Sequence, residues 1–330
     1  MKICVTGGAG MIGSTLIRKL ISFGHEISVI DNLWRGKIEN ISGIENFDAK
    51  TDFHKVDLSD NTNVDTITKI VKRNDIVVHL ADLVAGISYV FNNQYDIFRI
   101  NNAINTNLFH ACASAGVPKI IYAGTACSFP KSLQRSLTSV LREDQLFPSY
   151  PESAYGWSKL MGTLELDFLQ EKYGCHIGTL MLHNVYGPYC DIDPSRSQVI
   201  PSLIRKMIEL PTGGSLKVWG SGNQGRAFIY VDDVATAFIK AIEKDILPPI
   251  IQIGPSVCTS IKDLVYCLKD EIIKKDMELV FDTSKPEGDL GRCADYSLAK
   301  INLGWEPQVS LSIGLQNTYR WIDSQLKNEM

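Results

Sequence analysis

Over the first half of the chain, short apolar runs alternate with longer stretches whose apolar residues recur at helical spacing. The runs are Lys2–Thr6, Ile27–Asp31, Phe53–Asp57, Ile76–Ala81 and Lys119–Ala123, and the stretches between them are Met11–Phe23, Asn61–Arg73 and Ile97–Ala115. Each run is apolar on both faces, the pattern of strands covered by helices on either side. A helix over Ala154–Lys172 and a strand over Ile177–Leu182 continue the alternation. This order predicts an α/β fold with a doubly wound parallel sheet.

After His183 the alternation weakens. Asn184–Pro194 and Thr212–Arg226 are rich in Gly, Pro, Ser and Asn and read as loops. Phe228–Asp233 followed by Ala235–Lys244 reads as a return to the main sheet. A helix over Ile261–Lys274, a strand over Glu278–Phe281 and a last helix over Ser310–Lys327 follow. The expected division is a nucleotide-binding domain of residues 1–184 and 226–250, with a smaller, discontinuous α/β substrate lobe of residues 185–225 and 251–330.

A chain of 330 residues is long enough for such a two-lobed core. Its net charge of −4 gives no reason to expect nucleic acid or an anionic membrane as a partner. Eight cysteines without a CxxC pair or metal-type spacing read as free thiols in a reducing compartment. The N-terminal Met1-Lys2 runs straight into a strand without an apolar leader segment. No apolar stretch reaches the roughly 18 residues of a membrane helix. A soluble, cytoplasmic protein is the expectation.

The candidate chemistry begins at Gly7-Gly8-Ala9-Gly10-Met11-Ile12-Gly13, between the first strand and the first helix. Gly7 permits the tight turn, Gly10 the approach of a pyrophosphate, and Gly13 the packing of helix on strand. The helix N-terminus offers free N–H donors to phosphate. Asp31, ending the second strand, is placed for the adenosine ribose hydroxyls and would repel a 2′-phosphate, so NAD is favoured over NADP despite Arg35 and Lys37 nearby. A helix N-cap is the plainer role for Asp31. Asp57 ends the third strand and is a candidate for adenine or for a simple cap. Met11, Ile12, Asn32, Leu58, Leu80 and Ala81 flank these turns as further candidate cofactor contacts. The fold expected is therefore of Rossmann type.

Tyr155 and Lys159 stand four residues apart, on one face of a helix. A phenol is a poor base at neutral pH, and a neighbouring ammonium favours its phenolate. The pair can then take a hydroxyl proton while hydride leaves the same carbon, with Lys159 also free to hold the nicotinamide ribose. A YxxxK spacing on its own is common on helix surfaces; its place after the glycine turn and five strands makes it a catalytic candidate. His79 and His183 read as packing or cofactor-adjacent residues, since no cluster of metal ligands accompanies them.

With these motifs the chain resembles the extended short-chain dehydrogenase/reductase family, in its nucleotide-sugar epimerase/dehydratase branch. The landmarks are GGAGMIG, the Asp31 strand, HLAD at 79–82, YAGTACSFP at 122–130, YGWSK at 155–159, HNVYGP at 183–188, GRAFIYVDDV at 225–234, and Gly291-Arg292 before NLGWEP. The resemblance implies a seven-stranded sheet, a homodimer formed through a helical bundle, and a nucleotide-sugar substrate. It also implies that Thr125, otherwise a strand-end turn residue, completes a Thr/Tyr/Lys triad. It implies substrate contacts for Asn184, Arg226 and Arg292, whose planar guanidinium forks suit a diphosphate. Trp219 reads equally as a core aromatic or a wall of the nucleotide pocket.

Members of the branch begin by oxidising C4 of the sugar, and the resulting ketone acidifies C3 and C5. Dehydratases of the branch carry an Asp-Glu pair where this chain has Ala126-Cys127. The run from Thr125 through Pro130 is similar instead to the GDP-mannose 3,5-epimerase group, as are Ser153–Lys159, His183–Pro188 and Pro286-Glu287-Gly288 with Arg292. That likeness implies a catalytic Cys127 acting at C3 and C5, against the plainer reading of a small buried thiol. The group's opposing acid, a lysine, aligns with Gln198, and no argument from sequence places Arg196 or Lys206 in its stead. The leading expectation is an NAD-dependent epimerase of a GDP-linked sugar. The alternative is a net C4 dehydrogenase or 4-keto-sugar reductase, with a dehydratase behind it. A non-catalytic dinucleotide sensor ranks last, because sensors lose the Tyr or the Lys.

Overall fold

The structure, a computed structural model, describes residues 1–285 and 288–329; Pro286 and Glu287 of the Pro286-Glu287-Gly288 landmark lie outside the described residues. Seven parallel strands form the main sheet: β1 Lys2–Thr6, β2 Glu26–Asp31, β3 Phe53–Lys55, β4 Ile76–His79, β5 Lys119–Thr125, β6 His176–Leu182 and β7 Ile250–Ile253. Their order is β7-β6-β5-β4-β1-β2-β3. The chain reverses direction across the sheet between β1 and β4, which makes that junction the point where ligands bind in open α/β sheets. Burial explains the apolar runs: Ile3, Val5, Val77, Val78, Ile120 and Ile121 are fully or nearly fully enclosed by helices on both faces.

Two helices matter most for the site. Helix α1, Met11–Ser22, starts at Gly10 with no side-chain cap and no acidic residue in its first turn. Helix α2, Ala154–Tyr173, starts at Ser153, whose hydroxyl accepts from the Gly156 N–H, and ends at Gly174 in the left-handed region (φ 70°). Its first turns therefore present Tyr155 and Lys159 near the carboxyl end of β5.

Several boundaries differ from expectation for identifiable reasons. The run to Ala81 stops at His79: the Leu80 N–H is shared between the Thr6 carbonyl and Thr6 Oγ1 (3.2 Å each), and the Ala81 N–H turns to Thr6 Oγ1 (3.2 Å). Phe228–Tyr230 does not return to the main sheet but pairs in parallel with Asn184–Tyr186. The switch occurs at one residue: the His183 N–H still bonds Ile253 of β7 (3.1 Å), whereas the Asn184 N–H bonds Ala227 (3.0 Å). The seventh strand is instead Ile250–Ile253, beyond the expected boundary at 250; four residues after Pro248-Pro249 are too few to show a period. Within the expected Thr212–Arg226 loop lies a strand, Ser215–Trp219, paired with Glu278–Asp282; its alternating burial puts Leu216 and Val218 inward. The expected helix over Ile261–Lys274 is helical only to Tyr266 and widens into π-type turns over Cys267–Ile273.

A further pair bears on function. Arg135–Leu141 and Gly291–Ala294 form a two-stranded parallel ribbon that carries the chain near residue 292 back to the end of β5. No described helix is long and apolar enough to cross a membrane.

Candidate active site

One cavity of about 780 Å³ runs along the carboxyl edge of the sheet, and it is lined by the glycine turn, Asp31, Asp57, the Leu80–Gly86 segment, Thr125, Cys127, Tyr155, Asn184 and Arg226. At the cofactor end, a Cβ on Gly13 would meet the Gly7 carbonyl at 2.4 Å, so only glycine lets α1 approach this closely. The α1 N-terminus, with no side-chain cap and no acidic residue in its first turn, suits an anion. Asp31 is buried, and it accepts from Ala9 N–H (3.0 Å) and Leu33 N–H (2.8 Å) rather than capping a helix. Burial pushes its carboxyl up, and those two amides pull it back. Asp57 accepts from the backbone and hydroxyl of Ser59 in a local turn and lines the cavity; the cap of the helix that follows is Asp60, which accepts from the Thr62 N–H. Asn32 accepts from Trp34 N–H. Met11, Ile12, Leu58, Leu80 and Ala81 all line the cavity. Arg35, the basic residue that spoke for a 2′-phosphate, is held by the Val84 carbonyl (3.0 Å) and Asp191 (3.5 Å).

At the centre stands an acidic residue to which no role was given from the sequence. Tyr155 OH donates to Asp82 Oδ2 at 3.0 Å, and Lys159 Nζ lies 3.5 Å from the same oxygen. The lysine side chain is only 1% exposed and rests 4.2 Å over the Tyr122 ring. The contact with Asp82 is an ion pair rather than an aligned hydrogen bond, and Nζ has no hydrogen-bond partner among the described residues. A buried ammonium left this way fits a ligand hydroxyl, so the residues present suit a nicotinamide ribose here. A neighbouring ammonium alone would draw the phenol down. Burial and the adjacent Asp82 carboxylate, with Cys127 beyond, instead push Tyr155 well up. Burial pulls Lys159 down, but Tyr122 and Asp82 outweigh it and the group ends raised. The only signal for Asp82 was a carboxylate closing the otherwise apolar run of HLAD.

Past the tyrosine, Thr125 Oγ1 accepts from Cys127 N–H (3.2 Å) and both side chains line the cavity. Cys127 is half-buried, and Arg292 Nη2 donates to its sulfur at 3.0 Å. That guanidinium is itself fixed by Asp289 (2.8 Å) and Gln134 (2.5 Å). Gly156 brings α2 against this turn: a Cβ there would meet the Cys127 carbonyl at 2.2 Å. Arg226 donates to the carbonyls of Gly225 and Asp289, and burial beside Arg292 brings it down to about 10. Glu152 lines the same wall, its carboxyl pushed up by burial and by Asp289.

Gln198 and Lys206 both line the cavity, whereas Arg196 is committed to Asp191 (2.6 Å) and the Trp34 carbonyl. Trp219, 40% exposed, is a cavity wall rather than a core residue. His79 is enclosed between Thr6 (2.7 Å) and Asn105 (3.1 Å), and His183 is held by Gln252 (3.1 Å).

A Rossmann-type sheet, a glycine-lined helix N-terminus and a Tyr/Lys pair on one cavity wall define a dinucleotide-dependent enzyme of the extended short-chain dehydrogenase/reductase type. The pattern of the NAD dependent epimerase/dehydratase family matches residues 3–254, and the chain belongs to that family. Its cofactor is NAD. The chain is 31% identical to GDP-mannose 3,5-epimerase 1 of Oryza sativa subsp. indica over 332 residues, covering 100% of this chain and 83% of that protein. It is 29% identical to GDP-L-fucose synthase 1 of Arabidopsis thaliana, covering 97% and 92% respectively. Among solved structures it is similar to the UDP-glucose 4-epimerase of Thermotoga maritima with UDP-glucose, with a TM-score of 0.85, 30% identity, and 99% and 100% of the two chains covered.

Proposed function

We propose that the enzyme epimerises a GDP-linked sugar through transient oxidation at C4. NAD, which the Gly7–Gly13 turn, Asp31 and Lys159 would hold, would supply a reversible hydride acceptor there. In this reading Tyr155 takes the C4 hydroxyl proton, Thr125 orients that hydroxyl, and Lys159 holds the nicotinamide ribose. Asn184, Arg226 and Arg292 meet the sugar diphosphate. Residues 1–184, 226–250 and the strand Ile250–Ile253 carry the cofactor, and the remainder forms the sugar-nucleotide lobe.

The observation that carries this reading is the Arg292–Cys127 contact at 3.0 Å, on the same cavity wall as Tyr155. Thiols that act as bases or nucleophiles sit beside cations, and inert ones sit in apolar surroundings. A C4 ketone would give such a sulfur acidic C3 and C5 protons to exchange. The GDP-mannose 3,5-epimerase and fucose synthase relatives support the choice of a GDP-sugar. A net C4 dehydrogenase or keto-sugar reductase is the second reading, favoured by a glutamine, Gln198, lining the cavity where the epimerase group has its acid.

Incubation with GDP- and UDP-sugars in D2O, followed by mass spectrometry, NMR and nicotinamide absorbance, tests both. Deuterium at C3 or C5 without net NADH is the expected result. Stoichiometric NADH with no deuterium at those carbons would replace the epimerase by the dehydrogenase.

A further inference from the structure

We propose that Asp191 latches the cofactor cavity: by holding Arg35 and Arg196 together it ties the segment packed on the glycine turn to the loop that carries Gln198, and so retains NAD between turnovers. The inference rests on the cofactor, not on the sugar chemistry proposed above, and it names Asp191 as a positioning residue.

Three segments far apart in the sequence meet here, and all of them border the cavity that the glycine turn and Asp31 also line. The first, residues 34–37, lies on the glycine turn itself. The Lys37 N–H donates to the Ala9 carbonyl (3.2 Å), and a Cβ on Gly36 would meet that carbonyl oxygen at 2.8 Å. The second, residues 83–86, follows β4, and the third, residues 191–198, follows the Asn184–Tyr186 strand.

Asp191 joins them. Its Oδ2 accepts from Arg196 Nε at 2.6 Å and lies 3.5 Å from Arg35 Nε. Arg35 donates onward to the Val84 carbonyl (3.0 Å) and Arg196 to the Trp34 carbonyl (2.9 Å), so each guanidinium bridges from its own segment to another. The Arg196 guanidinium also lies 5.2 Å over the Trp34 ring. The backbone closes the ring: the Gly86 N–H donates to the Arg196 carbonyl (2.9 Å), and a Cβ on Gly86 would meet the Ser197 carbonyl oxygen at 2.5 Å. The Asp191 side chain is 6% exposed, against 21% for Arg35 and 27% for Arg196, so the carboxylate is the buried centre of the contact. Both guanidiniums share one of its oxygens, and without it two like charges would face each other. An enzyme that hands its own hydride back has no need to exchange its cofactor, whereas one that releases NADH must open at every turnover. A latch between these segments serves the first kind.

The test follows cofactor release with no sugar present. Enzyme loaded with NADH is chased with excess NAD, and the loss of bound nicotinamide fluorescence gives the release rate. Two variants open the latch by different means. Asp191→Asn keeps the shape and removes the charge, whereas Gly86→Ala wedges a methyl group against the Ser197 carbonyl and changes no charge. Each is expected to release NADH roughly 10–10²-fold faster than wild type, with the capture rate within several-fold. The sign discriminates, because removing a carboxylate from an anion-binding cavity by itself slows the escape of a dinucleotide. The double variant should fall short of the product of the two single effects, since both open one contact. Urea midpoints, taken at NAD concentrations that saturate each protein, separate a latch from general loosening. Unchanged or slower release in Asp191→Asn overturns the latch. So does faster release that multiplies fully in the double variant or follows a matching loss of stability. Because no sugar is used, the latch can fail while the epimerase reading stands, and the D2O experiment can sink that reading while the latch stands.

Discussion

The two ends of the sugar side of the cavity carry opposite electrostatic arrangements. Around Tyr155 the nearest charge is an anion, Asp82, backed by a buried lysine. Around Cys127 it is a cation, Arg292, backed by the buried carboxylate of Asp289. The first arrangement keeps a proton on the phenol oxygen, and the second holds positive charge against the sulfur. Each reactive atom thus faces one charge whose own counter-charge lies behind it, so neither ion is left alone in a low dielectric. What differs is the sign of the charge each end presents: an anion to the phenol oxygen and a cation to the sulfur. A single ketone chemistry that needs hydride exchange at one carbon and proton exchange at its neighbours would use both.

That contrast can be broken from either end. Tyr155→Phe removes the hydroxyl alone and is expected to slow substrate-dependent nicotinamide reduction by roughly 10³–10⁴-fold, measured by single-turnover absorbance. Arg292→Leu leaves Asp289 as an unpaired buried carboxylate and is expected to cost about 3–5 kcal/mol in urea unfolding; stability equal to wild type would mean that the pair is not buried as described. Cys127→Ala should cut deuterium entry at C3 and C5 by roughly 10²-fold or more while nicotinamide reduction stays within several-fold. Equal losses in both assays would join the two ends into one unit and dissolve the comparison.

The pH dependence of stability follows from the histidines behind each end. Burial, with Lys159 adding to it, holds His79 down to about 3; burial, partly offset by Gln252 and reinforced by Arg292, holds His183 to about 4. Both are neutral in the folded chain, whereas the unfolded chain protonates them below about pH 6.5. Stability is therefore full above that pH and falls as pH drops from 6.5 towards 4, by about 1.4 kcal/mol per unit for each histidine. Urea titrations at pH 7 and 5 should show this slope, and His183→Gln should remove about half of it. The smallest effect is expected at the cofactor end. Asp31→Ala should weaken NAD binding about tenfold by removing a charged hydrogen-bond acceptor, with little change at either reactive end. Isothermal titration with NAD checks it.

The cofactor half was legible because its determinants are local. Gly7, Gly10, Gly13 and Asp31 lie within one strand–helix–strand unit, and two-sided burial writes each strand as an apolar run. Tyr155 and Lys159 were legible for the same reason, since helical spacing alone puts them on one face. The strand at Ile250–Ile253 was not legible, because four residues carry no period. Phe228–Tyr230 was assigned to the wrong sheet, because the change of partner at His183 leaves no mark in composition.

The sequence by itself determined the chemistry available: a glycine turn for a dinucleotide, a phenol and an ammonium four residues apart, and a cysteine two residues after Thr125. Only the tertiary structure decided what charge each of these meets. Asp82 reaches Tyr155 from 73 residues away, and Arg292 reaches Cys127 from 165 away. A carboxylate or guanidinium at that separation is one of many along the chain. Its effect on a phenol or a thiol falls off within a few ångströms, so the partner is set by strand order and ribbon register.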